Sequence, residues 1–155
     1  MTTKIMQPAT DTNTTPVREL PGAQLFAKTI SESDAYMFAG LTGDFYPVHI
    51  DAEYAATQPV GERIAHGSFV VGLMSATGGK WMQKESIDGL SYGYDNVRFV
   101  RPVRIGDTLT IAQAKATESD DGSRITCRVE ARNQRDEVVC TARHIIWNAE
   151  ASSSD

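Results

Sequence analysis

Hydrophobic and polar residues alternate with period 2 in four segments of the second half of the chain, residues 92–100, 108–116, 124–132 and 138–147. Such alternation predicts strands with one face on a core and one in water. The third segment is the cleanest. Ile125, Cys127, Val129 and Ala131 share one face, and Thr126, Arg128, Glu130 and Arg132 share the other. Turn-forming residues separate these strands at 104–107, 120–122 and 133–136. The first half has a different rhythm. A short strand over 24–30 leads to Ser31, an N-cap with Asp34 at the capping-box position, and so predicts a helix over 32–41 closed by Gly43. Asp51 predicts a second N-cap, for a helix over 52–57 stopped by Pro59. Residues 67–82 are apolar almost all round for three turns, the pattern of a buried helix. Its Gly72, Ser75 and Ala76 are expected to let a sheet approach closely. Antiparallel strands wrapped around one buried helix make an α+β domain.

At 155 residues the chain is one domain with room for a core. Residues 1–21 lack periodicity and read as a flexible N-terminal arm, 22–148 as the folded domain, and 149–155 as a disordered tail. The net charge of -5 argues against nucleic-acid and membrane-surface partners. No apolar run approaches the roughly 18 residues of a membrane span, and no secretory signal is visible, so a cytoplasmic protein is expected. Two cysteines, Cys127 and Cys140, are too few for a disulfide framework or a metal cluster and read as buried thiols.

The candidate chemistry lies between the two halves. Asp44 and His49 flank Pro47 in a stretch too short and too proline-broken for regular helix, and a turn there brings both towards one point. A carboxylate and a neutral imidazole on one water orient it and exchange its proton. The spacing alone is common, and Asp44 as a turn cap with His49 as a structural histidine explains it equally. The apolar helix begins at Gly67, where free N–H groups stabilise developing negative charge and the missing side chain admits a substrate carbonyl. His66 shapes or caps this entry.

The chain resembles the MaoC-like hydratases, the (R)-specific enoyl-CoA hydratase branch of the hot-dog fold. The resemblance rests on Thr42-Gly43-Asp44, Pro47-Val48-His49-Ile50-Asp51 and Ile64-Ala65-His66-Gly67. Val97-Arg98-Phe99, Arg101-Pro102-Val103 and Ile105-Gly106-Asp107-Thr108 extend it. It implies a curved antiparallel sheet wrapped around a long central helix, paired into a homodimer, with higher oligomers left open. It also implies reversible syn addition of water to a trans-2-enoyl-CoA, giving a (3R)-3-hydroxyacyl-CoA. Asp44 and His49 then activate water and the Gly67 amide forms the oxyanion hole. No metal or redox cofactor is implied, and coenzyme A enters only as part of the substrate. The family pattern G-D-x-N-P is broken by Tyr46, which adds bulk and a phenol where the family has Asn. That departure points either to a pocket reshaped for another acyl group or to altered activity.

Substrate contacts are expected from Tyr46, His66, Ser68, Arg98 and Arg101, with Arg63, Lys80, Lys84 and Arg104 as further phosphate partners. Phe45, Phe69, Met74 and Trp81 are candidates for an acyl pocket or for core packing, and His144 reads as a packed, hydrogen-bonded residue. Competing readings are a branched or dicarboxylic (mesaconyl- or itaconyl-type) hydratase, an acyl-carrier-protein dehydratase, an acyl-CoA thioesterase and a non-catalytic acyl-CoA binder.

Overall fold

The computed structural model describes residues 15–152. Five antiparallel strands, β1 (Gln24–Thr29), β2 (Gly89–Phe99), β3 (Thr108–Glu118), β4 (Arg124–Arg132) and β5 (Val138–Asn148), form one sheet in the order β1-β3-β4-β5-β2. Between β1 and β2 lie α1 (Glu32–Thr42), α2 (Pro47–Ile50), α3 (Ala52–Thr57) and the long α4 (Gly67–Lys84). The caps follow the sequence. Ser31 and Asp34 make the reciprocal capping box, Gly43 ends α1 at φ 78°, and Asp51 accepts from Tyr54 N at the start of α3. One local expectation fails. Residues 47–50 form a helical turn, because Pro47 stands at its first position, where a missing N–H is harmless.

Helix α4 lies on the sheet face made by Leu109 and Ile111 of β3 and Val129 and Ala131 of β4. Val70, Leu73, Met74, Thr77, Gly78 and Trp81 form its buried stripe. The expectation of burial all round is corrected, since Ser68, Gly72, Ser75 and Ala76 face outward. The sheet approaches at Gly78 instead, where an added Cβ would sit 2.6 Å from the His144 ring. His144 is buried between Gln113 Oε1 (3.1 Å) and Ser91 Oγ (2.9 Å) and stacks on Tyr94. Burial drives its pKa down to about 4. Cys127 and Cys140 are buried free thiols, their pKa values pushed up to about 12 by desolvation.

Both chain ends carry ordered segments that the sequence reading left without assigned structure. Of the expected arm, residues 1–14 lie outside the described residues, but Val17 is buried against Ala112 and Ala114 on the sheet face away from α4. Arg18 pairs with Asp136, and Thr15 O accepts from Arg128. Of the expected tail, α5 (Ala149–Ser152) is helical, and 153–155 lie outside the described residues. No described helix is long and apolar enough to cross a membrane.

Candidate active site

Three short elements deliver the polar groups. The left-handed Gly43 turns the chain out of α1, so Asp44 begins the loop, and its Oδ1 accepts from Tyr46 N at 3.3 Å. Pro47 then starts α2, whose last turn carries His49. His49 Nδ1 lies 2.8 Å from Ile64 O, and His66 Nε2 lies 2.9 Å from Asp44 O. A carbonyl oxygen only accepts, so each of these nitrogens carries a proton. The two imidazoles stack with centroids 3.9 Å apart.

This bonding sets the chemistry. With Nδ1–H committed to Ile64, neutral His49 presents Nε2 as a free lone pair, the form a base requires. Burial lowers the His49 pKa from its ordinary value, and the neighbouring His66 adds to the effect, while the Ile64 bond and Asp44 oppose it. His66 is 2% exposed and its Nδ1 has no partner. Its Nε2–H donates to Asp44 O and its ring stacks on His49, outside the cavity lining. Donor atoms of Asp44, His49 and His66 all lie within 4.8 Å of one another. Such a group is of metal-ligand type, and within it the His49 and His66 rings are stacked with an interplanar angle of 28°.

Helix α4 starts beside this pair. Its N-cap, His66, makes no side-chain capping bond, and its carbonyl accepts from Phe69 N, so the Gly67 N–H at the first position is not capped by a side chain. His49 and Gly67 share the wall of a cavity of about 300 Å³. Ile64, Val70, Phe99, Val103 and Cys140 supply much of the remaining apolar lining, and Arg101 is the charged residue on its wall. An imidazole, a helix terminus and an apolar chamber thus meet at one place, with the Asp44 carboxylate close to the imidazole.

The other expected contacts divide. Tyr46 stands edge-on to His49 at 6.1 Å, its hydroxyl 3.4 Å from that of Tyr54, but it is half exposed and outside the cavity lining. Ser68 is exposed on the outer side of α4, also outside that lining. Arg98 is exposed on β2 and donates to Val97 O, while Arg101 donates to Val138 O at 2.7 Å. Arg63 is taken up by Glu32 and Tyr36, Arg104 by Glu62, and Lys84 donates to Gly22 O. Lys80 sits over the Phe26 ring. Met74 and Trp81 are core residues, Phe69 packs on the core, and Phe45 is exposed. The acyl-sized lining from Phe99, Val100, Val103, Val139 and Cys140 is missed by the sequence reading. The motif Val97-Arg98-Phe99 is the signal in the chain that marks this wall.

Comparison with known proteins agrees with this construction. Residues 13–139 match the MaoC like domain family. An (R)-specific enoyl-CoA hydratase from Rhodospirillum rubrum is 45% identical over 94 residues, 61% of this chain and 62% of that protein. A 3-hydroxybutyryl-CoA dehydratase from Methylorubrum extorquens is 40% identical over 88 residues, 57% of this chain and 54% of that protein. The chain thus matches less than two thirds of the length of these two relatives. Among solved structures, the unliganded R-hydratase PhaJ1 from Pseudomonas aeruginosa superposes with a TM-score of 0.70 at 30% identity, covering 86% of this chain and 84% of that one. The sheet and its long helix are the hot-dog fold.

Proposed function

The chain belongs to the MaoC-like domain family, and we propose that it is a hydro-lyase that adds water reversibly to trans-2-enoyl-CoA thioesters. The observation that carries this reading is the Asp44 carboxylate within 4.8 Å of a His49 ring nitrogen, with His49, its Nδ1 held by Ile64 O, and Gly67 on the wall of one apolar cavity. The thioester carbonyl accepts from Gly67 N–H, and C3 faces the pair. Asp44 accepts a hydrogen bond from the water and orients it. His49 Nε2 takes the water's proton as its oxygen bonds to C3, and the C2=C3 electrons move to an enolate held at Gly67. The imidazolium then returns that proton to C2 on the same face. Water has been added syn, and the protein is unchanged. Only protein groups and water are needed, and coenzyme A is part of the substrate.

The names of the relatives support the (3R) product. The charge of Arg101 on the cavity wall supports a contact with the coenzyme's phosphates. The unpaired edge of β2 and the outward small residues of α4 support a homodimer. The buried, reduced thiols fit a cytoplasmic setting.

The test is loss of enoyl absorbance from a panel of trans-2-enoyl-CoAs, beside Asp44→Asn and His49→Ala. General acid–base groups contribute about 10²–10⁴-fold, so each variant should lose turnover on that scale while keeping its fold. Wild-type rates in both variants would sink the dyad. Release of free thiol would mark a thioesterase, and acyl-CoA binding without turnover a binder.

A further inference from the structure

Phe99 ends the edge strand β2, just past a break in register between Asp95 and Arg98, and pairs with Cys140 of β5. Its ring is 49% exposed, yet it is closely seated. A Cβ added to Gly67 would lie 2.8 Å from Phe99 Cζ, 2.9 Å from Cε2 and 3.0 Å from Cε1. The ring therefore covers the Cα at the start of α4. The amide nitrogen that would receive the thioester oxygen is one bond, about 1.46 Å, from that Cα. An oxygen held at about 2.9 Å from this nitrogen brings C1 and C2 of the acyl group alongside the ring. Phe99, Gly67 and His49 all line the same cavity, so the reacting carbons pass a fixed aromatic wall.

We propose that Phe99 is a specificity-determining residue, through which the site accepts enoyl thioesters unsubstituted at C2 and rejects those carrying a methyl there. This rests on the hydratase reading above. An unsubstituted trans-enoyl thioester is flat and narrow at C2, where it carries only hydrogen. A C2 methyl needs about 3.5–4.0 Å from the ring carbons. That space is taken, because the Gly67 backbone stands against the ring. Hydration makes C2 tetrahedral and turns the methyl out of plane, so the obstruction persists along the reaction. Sites that discriminate by one methyl group reach about 10–200-fold.

The experiment compares crotonyl-CoA with trans-2-methyl-2-butenoyl-CoA in wild type, Phe99→Ala and Phe99→Tyr. The ratio of kcat/KM values is read, and stability is followed by thermal unfolding. Wild type and Phe99→Tyr should favour crotonyl-CoA by at least about tenfold, and Phe99→Ala should lower that preference by at least about tenfold. A preference in Phe99→Ala equal to that of wild type, or no preference in wild type, overturns the proposal. A second arm measures Kd for butanoyl-CoA and 2-methylbutanoyl-CoA by calorimetry. Should wild type turn over neither enoyl substrate, a binding preference that relaxes only in Phe99→Ala supports the role of the ring and overturns the hydratase reading. A binding preference that does not relax overturns both.

Discussion

Gly78→Ala should destabilise the protein even though alanine is the better helix former. Gly78 lies inside α4 and is buried against β3 and β5. The new Cβ would stand 2.6 Å from His144 Cε1, 2.8 Å from Nδ1 and 3.2 Å from Gln113 Oε1. Carbon contacts are comfortable at about 3.5–4.0 Å, so the ring must retreat by roughly 1 Å. It has no free direction. Gln113 and Ser91 hold its two nitrogens, and Tyr94 is stacked on it with centroids 4.4 Å apart. Overpacking of this kind costs about 1–3 kcal/mol, and a broken buried hydrogen bond adds about 1 kcal/mol. Helix propensity returns about 1 kcal/mol. The balance is a loss of about 2 kcal/mol, or a Tm lower by about 4–8 °C in a domain of this size. Gly40→Ala in α1 is the control, since its added Cβ meets nothing within 4 Å. It should gain about 0.5–1 kcal/mol from propensity alone. The assay is urea unfolding of both variants beside wild type. Equal or greater stability for Gly78→Ala would refute the packing argument.

Three further outcomes follow from the same structure. Burial lowers the His49 pKa, so the basic form survives below the ordinary imidazole range. The acid limb of the kcat/KM profile should be centred below about pH 6.5, and a fall centred above about 6.5 would contradict the environment described. His144, at about pKa 4 when folded, binds a proton more readily unfolded, so stability should drop as pH falls from about 6.5 towards 4. The loss is about 3 kcal/mol across that window, and His144→Gln should flatten this part of the stability–pH curve; an unchanged slope would acquit His144. Val17→Ala removes two buried methyl groups' worth of contact with Ala112 and Ala114. A loss of about 1.5–2 kcal/mol is expected by denaturant unfolding, whereas no change would mean that Val17 contributes nothing to the fold.

Elements governed by nearby residues were legible in the chain. The box of Ser31 and Asp34, the left-handed Gly43, the Asp51 cap and the alternation of 124–132 each act within a few positions, and each element forms close to where it was expected. The short turn 47–50 is not legible locally, because Pro47 breaks a helix at interior positions and starts one at the first position, where it stands. Ser68 was placed near substrate by its position after Gly67, but a helix turns its next residue by about 100°, and that rotation carries Ser68 outside. Arg63 and Arg104 kept their charge in the reading and lost their freedom in the fold, where Glu32 and Glu62 meet them.

The sequence by itself determined the five strands, the helices α1, α3 and α4, the α+β class and the family, because caps, periodicity and motifs are written in neighbouring residues. It also marked Asp44, His49 and Gly67 as a set. Only the tertiary structure decided that His66 lies beneath His49 as a support, that Gly78 rather than Gly72 receives the sheet, and that Phe99 walls the entrance at Gly67. Those outcomes depend on contacts between residues tens of positions apart, and on the rotation of α4 about its own axis. That rotation is set by which stripe of side chains the sheet can bury.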